Sequence, residues 1–268
     1  MGEDQIKLLA IDLDDTLLTP ERMISARVKQ SLRRVQDSGC LVTLATGRMY
    51  RSAKPYADEL DLDVPLITYQ GALIKTSRTG EVWRSVSLLP EVLTPLLQWL
   101  EQTGVHINLY VGDDLYVAEM NKFAQDYAAF SRVSVQAVGQ LSRFPLTAAT
   151  KVVAVGDADY LRDQLQPVAR QLFAGQLTIN RSRPHFLEFG HPEATKSKAI
   201  AHLVDRMGIK REQVMAIGDG ENDLDMLEYA GVGVAMGNAE PAALAVADFV
   251  TKSNAEDGVA FAIDHYFR

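Results

Sequence analysis

Two acidic clusters hold the residues whose types and spacing could do chemistry. Asp12, Asp14 and Asp15 fall within four positions at the end of the apolar run 8–11. Asp219 and Asp223 follow a second such run, 214–217, in the stretch Gly218-Asp219-Gly220-Glu221-Asn222-Asp223. Packed carboxylates repel, and each raises its neighbour's pKa unless a cation or hydrogen-bond donors offset the charge. An ordinary reading competes, because aspartate is common in turns and favourable at helix starts. That reading covers Asp223 and leaves Asp219 and Asn222 unexplained. If the two strands are neighbours, Asp12, Asp14 and Asp219 supply oxygen ligands to one hard cation. Magnesium fits, since it takes a few carboxylates and keeps positions for water and phosphate. Calcium loops are excluded, because they need Gly at the sixth position and Glu at the twelfth. Counting from Asp12 finds Leu17 and Met23, and counting from Asp219 finds Leu224 and Ala230.

Such groups need a sheet to aim them. Residues 8–11 read as a buried strand, and Ile24, Val28, Leu32 and Val35 keep helical spacing between a Ser25 cap and Gly39. A strand over 40–45 leads to Thr46-Gly47-Arg48 and a helix to about residue 60. A strand over 65–69 and a hairpin over 72–86 follow. This alternation predicts parallel pairing with right-handed crossovers, and ligands then bind beyond the carboxyl ends of the strands. From about residue 88 the grammar changes to an α+β module. It has helices over 90–104, 121–130 and 160–173, two short strands turning at 112–114, and strands at 151–155, 177–180 and 186–189. From Thr195 the α/β rhythm resumes and runs to a last helix ending at Phe267. The expected organisation is a discontinuous core, 1–86 and 187–268, with an inserted α+β domain over 87–186.

Composition narrows the class. The chain has 268 residues, a net charge of −8 and a single cysteine, Cys40. Nucleic acid and anionic membrane are disfavoured as main partners, because both call for basic patches. Nothing resembles a membrane span or a secretory signal, and one cysteine allows no internal disulfide, so cytoplasm is the expected location. The five histidines lack metal-ligand spacing. Cys40 is followed six positions later by Thr46, not by the arginine that a thiol phosphatase loop needs. The glycines of 231–237 miss the dinucleotide fingerprint by one residue and read as a core strand with its exit turn. Glu188 and His185 are weak candidates for facing a substrate.

Asp12-x-Asp14-x-Thr16-Leu17, Thr46-Gly47-Arg48, Lys196 and Gly218-Asp219-x-x-Asn222-Asp223 resemble, in order, the four motifs of haloacid-dehalogenase-superfamily phosphatases. The insertion between the second and third motifs is similar to that of the Cof-type branch with a type IIB cap. So are the stretches 250–254 and 256–259. The resemblance covers essentially the whole chain and implies a Rossmann-like parallel-sheet core with an inserted α+β (type C2B) cap. Two positions depart from it. Asp15 stands where the family usually has Gly, and Gln70 where Cof-type proteins commonly have Asn.

The resemblance also implies roles. Asp12 is the nucleophile that becomes an aspartyl phosphate, and Asp14 is the general acid/base. Magnesium draws on Asp12, the backbone carbonyl of Asp14 and Asp219, with Asp223 holding a coordinated water. Thr46 offers hydroxyl and backbone N–H to phosphate, with Gly47 beside it, and Asn222 donates a hydrogen bond. Lys196 supplies fixed positive charge. Lys198 is the competing lysine, less well aligned with the motif. Arg48 supports the site structurally. The expected activity is magnesium-dependent hydrolysis of small phosphorylated metabolites, sugar phosphates foremost. A phosphomutase of the same superfamily and a non-enzymatic sensor of phosphorylated ligands are the alternatives.

Overall fold

The computed structural model describes residues 5–145 and 147–267. It divides into two compact units: residues 5–48, 53–84 and 195–267 form the first, and residues 49–52 with 85–194, position 146 apart, form the second. The chain opens with β1 (Leu8–Ile11), α1 (Ala26–Asp37), β2 (Leu41–Leu44), α2 (Tyr50–Glu59) and β3 (Leu66–Thr68), then the expected hairpin, β4 (Leu73–Lys75) and β5 (Val82–Ser85). Helix α1 begins where Ser25 Oγ accepts from the Val28 N–H, which satisfies one of the orphan donors of a helix start. Its Val28, Leu32 and Val35 face the core, as their spacing predicts.

The second unit follows as α3 (Pro90–Thr103), β6 (His106–Val111), β7 (Asp114–Val117), α4 (Lys122–Ser131), β8 (Val135–Ala137) and β9 (Lys151–Val155). After α5 (Ala158–Tyr160), a wider helical turn (Leu161–Leu165) and α6 (Gln166–Leu172), it ends with β10 (Thr178–Arg183) and β11 (Phe186–Gly190). Its sheet runs β10-β11-β9-β6-β7-β8. Leu93, Leu96, Leu97 and Leu100 of α3 form a core with Ile107, Leu109, Val152, Ala154, Leu187 and Phe189. The boundary expected at 187 is wrong. Strand β11 pairs with β9 (Glu188↔Val153) and with β10 (Asn180↔Glu188), so residues to Ala194 stay with the second unit. Strand β8 was not foreseen. It is only three residues long and largely solvent-facing, and it pairs parallel to β7.

The first unit resumes with α7 (Lys196–Met207), β12 (Val214–Gly218), α8 (Leu224–Tyr229), β13 (Val232–Ala235), α9 (Pro241–Val246), β14 (Phe249–Val250) and α10 (Gly258–Tyr266). Its main sheet is β14-β13-β12-β1-β2, parallel throughout. Strands β1 and β12 are buried along their whole length, as expected of parallel strands covered on both faces. Register fixes what lies at their ends. Ile11 stands opposite Ile217 on one side and Leu44 on the other. Asp12, Gly218-Asp219 and Ala45-Thr46 therefore leave the sheet side by side at its carboxyl edge. Among the described residues no helix is long and apolar enough to cross a membrane.

Gly71 ties the β3–β4 connection to the start of α7. Its φ is +98°, and a Cβ there would stand 2.2 Å from the Thr195 carbonyl oxygen, which is backbone and cannot swing aside. Gly71→Ala adds backbone strain to overpacking, and we expect a loss of about 3 kcal/mol of stability, read by urea unfolding. A change below about 1 kcal/mol would show that this approach is slack.

Candidate active site

Asp12 begins a tight turn as β1 ends. Its N–H donates to the Ile217 carbonyl (2.9 Å), which locks the exit of β1 to β12. Asp14 is extended (φ −78°, ψ 132°) and Asp15 is left-handed (φ +59°). That conformation explains why glycine is usual at position 15 and why aspartate is tolerated there. The turn is also held from outside. Asn238 Nδ2 donates to the Asp15 carbonyl (2.8 Å), Asn254 Nδ2 to the Leu18 carbonyl (2.8 Å), and the Asn254 N–H to Asn238 Oδ1 (2.9 Å). No motif singles out Asn238, and Asn254 stands only at the end of the family-like stretch 250–254.

At the carboxyl edge, Asp12, Asp219 and Asp223 each offer an oxygen within 4.8 Å of the others. Lys196, the first residue of α7, reaches between them. Its Nζ donates to Asp12 Oδ1 and to Asp223 Oδ1, both at 2.5 Å, and its side chain is fully buried. Asp223 Oδ2 accepts from the N–H groups of Asp219 (2.9 Å) and Gly220 (3.1 Å), and Thr16 Oγ1 donates to Asp219 Oδ1 (2.5 Å). The Thr16 bond was missed, although its signal, a threonine two positions past Asp14, was in view. A lysine at a helix start is electrostatically unfavourable, and two carboxylates offset that penalty here. Lys198, the competing lysine, is exposed.

Burial holds the Asp12 carboxyl well above the usual carboxylate range, against the pull of Lys196, and the Asp223 and Asp219 charges add to the rise. Burial likewise pushes Asp219 up to about 7, helped by Asp223. Burial alone would lower Lys196, but Asp12 and Asp223 outweigh it and keep the ammonium charged. Three carboxylates against one lysine leave negative charge in excess, and an all-oxygen donor set of this kind suits a hard divalent cation. The residues fit a metal site.

Asp14 does not join this group through its side chain. Both its oxygens accept from Arg48, Oδ2 from Nε at 2.7 Å and Oδ1 from a terminal nitrogen at 2.6 Å. Burial alone would lower the Arg48 pKa, but the bonds to Asp14 outweigh it and raise it. Thr46 departs from expectation in one respect. Its backbone N–H is committed to the Ile67 carbonyl (2.9 Å), because β3 pairs alongside β2 there, so only its hydroxyl can serve a phosphate. That hydroxyl accepts from the Arg48 N–H (3.2 Å). Gly47 lies against the Gln70 side chain, where a Cβ would come within 2.4 Å of Nε2. Gln70 in turn accepts from Asn222 Nδ2 (3.4 Å) and so joins two of the predicted stretches. Its φ of +57° favours asparagine over glutamine, which accounts for the usual residue there. His185 is exposed, and Glu188 is buried in the second unit, where it pairs with Lys151 (3.2 Å).

Residues 9–263 match the haloacid dehalogenase-like hydrolase family. The chain belongs to that family. Its Cof-type character with a type IIB cap is borne out, as are the parallel α/β core and the enzyme class, phosphoric monoester hydrolase. The family member 5-amino-6-(5-phospho-D-ribitylamino)uracil phosphatase YitU of Bacillus subtilis is 32% identical over 266 residues, 97% of each chain. A haloacid dehalogenase-like hydrolase from Bacteroides thetaiotaomicron has a similar structure (TM-score 0.87, 33% identity, 98% of this chain and 100% of that one). So does the HAD subclass IIB sugar phosphatase BT4131 (TM-score 0.85, 26% identity, 97% and 98%).

Removing the lysine of this hydrolase tests the charge balance. Lys196→Met leaves Asp12 and Asp223 buried without their cation, which costs about 3–5 kcal/mol when both are ionised. At pH 5.5 the Asp12 carboxyl, whose pKa burial raises, can take up a proton instead, so the deficit in metal-free urea unfolding should be smaller there than at pH 8. An equal deficit at both values would refute the account.

Proposed function

We propose that this family member is a magnesium-dependent phosphatase of small phosphorylated metabolites, working through an aspartyl phosphate on Asp12. The observation that carries this reading is Lys196 bridging Asp12 and Asp223 beside Asp219 at the carboxyl edge of the sheet. Sugar phosphates and phosphorylated polyols are the leading substrate class. One relative is named for a phosphorylated ribityl compound and one structural neighbour for sugar phosphates.

In the first step an Asp12 oxygen forms a bond to phosphorus as the bond from phosphorus to the leaving oxygen breaks. Lys196 holds Asp12 Oδ1, so the attack falls to Oδ2. Asp14 gives its proton to the departing oxygen. In the second step Asp14 takes a proton from water, whose oxygen attacks phosphorus and releases the Asp12 carboxylate and inorganic phosphate. The Thr46 hydroxyl and Asn222 orient the phosphoryl oxygens beside Gly47, and Lys196 offsets their charge. Asp12, Asp219, the Asp14 carbonyl and, through a water, Asp223 would hold the magnesium. The ion, when bound, screens the carboxylates from the anionic substrate and stabilises charge in the transition state.

Asp12→Asn should keep the fold and abolish phosphate release from a panel of sugar phosphates assayed with and without magnesium. Retained turnover in that variant would end the assignment. The pH dependence of magnesium binding gives a second check. Asp219 has a raised pKa, so its stabilisation of the metal-free fold is full below about pH 4 and fades as pH rises through about 7. Magnesium must displace that proton. A carboxyl titrating near 7 is about one-tenth ionised at pH 6 and about nine-tenths at pH 8, so affinity should rise about tenfold between them. Calorimetry in buffers of different ionisation enthalpy should show proton release near pH 6. Affinity that is flat with pH, with no proton released, would contradict the prediction.

A further inference from the structure

The Arg48–Asp14 pair differs from the ion pairs of the protein's exterior, such as Lys54–Asp58, in which both partners are well exposed. The Arg48 side chain is 11% exposed and that of Asp14 27%. Both guanidinium contacts fall on different oxygens of one carboxylate, an arrangement that fixes the plane as well as the position of the acceptor. Arg48 is itself anchored. Its N–H donates to Thr46 Oγ1 (3.2 Å), its carbonyl accepts from the Tyr69 N–H (3.0 Å), and its guanidinium carbon lies 5.2 Å from the centre of the Tyr56 ring. On the other side, the extended Asp14 and left-handed Asp15 form the turn that carries the Asp14 carboxyl, which does not join the Asp12–Asp219–Asp223 group.

We infer that Arg48 is the positioning residue for the Asp14 carboxyl, and that Asp14 exchanges protons with substrate only while the guanidinium fork aims it. This rests on the proposed acid/base role of Asp14. A carboxylate has about four lone-pair sites, and a bidentate arginine takes two of them. The others carry the proton that passes to the leaving oxygen as the bond from that oxygen to phosphorus breaks. Without the fork, Asp14 keeps its chemistry and loses its aim. An aim lost by even an ångström is expensive in an intramolecular transfer.

Leaving-group dependence tests this, because a general defect of folding or phosphate binding slows all substrates alike. The value of kcat/KM, which reports the steps up to departure of the leaving group, would be measured for glycerol phosphate and for 2,4-dinitrophenyl phosphate. An alkoxide must be protonated as it leaves, whereas dinitrophenolate needs no proton. Asp14→Asn, Arg48→Ala and Arg48→Lys would be compared with the unaltered protein. We expect Asp14→Asn and Arg48→Ala to lose at least about tenfold more on the alkyl than on the aryl substrate. Arg48→Lys, which keeps the charge without the fork, should fall between. Should Arg48→Ala fail to fold, the same selective loss in Arg48→Lys decides the matter. A selective loss in Asp14→Asn with none in the Arg48 variants overturns the inference alone. No selectivity in Asp14→Asn overturns the acid/base role of Asp14, and this inference with it.

Discussion

The site depends on one charge balance: a buried lysine, the first residue of α7, held between two buried aspartates with a third close by. Neither side of that balance is stable alone. A buried ammonium without anions loses its proton, and buried carboxylates without a cation take protons up. Together they place three carboxyl groups around one ammonium, a surplus of acid groups that goes with the raised pKa of Asp12 and Asp219. Such a surplus is what a small divalent cation neutralises. Charges kept in this state are more costly than a packed apolar core would be, and functional sites are where proteins keep them.

Main-chain pairing does the work of bringing the carboxylates together against their repulsion. Because β1 and β12 are adjacent and in register through Ile11 and Ile217, Asp12 and Asp219 emerge together without any side-chain attraction being needed. The turn beyond Asp12 is then held by Asn238 and Asn254 from the far end of the chain. The turn beyond Asp12 is thus held by backbone hydrogen bonds and side-chain amides, groups that do not titrate.

Much of this could be read beforehand because chemistry and secondary structure shared a signal. An apolar run that ends in aspartate announces both a buried strand and what stands at its tip, and Asp12, Asp219 and Asp223 were legible for that reason. Lys196 was legible only through the family motif that it completes. Side-chain partnership was not legible. Nothing in the spacing of Arg48 and Asp14 says that they pair, since that depends on rotamers and on the left-handed turn at Asp15. The Thr46 N–H was misjudged because the short strand β3, distant in sequence, claims it. The boundary at 187 failed because the apolar alternation of Phe186–Gly190 suits either sheet, and only pairing with β9 and β10 decides between them.

The Lys196–Asp12 contact joins residues 184 positions apart, and Thr16 reaches across 203 positions to Asp219. A chain emerging from the ribosome therefore exposes Asp12 long before any of the groups that balance it. The second unit is made in between, and its sheet pairs strands that all lie within residues 85–194. Until Lys196 and β12 arrive, β1 has only β2 on one side and an open edge on the other. The interval during synthesis in which this protein is most exposed to mispairing is thus written into the order of its elements, and it closes with the same strand that completes the site.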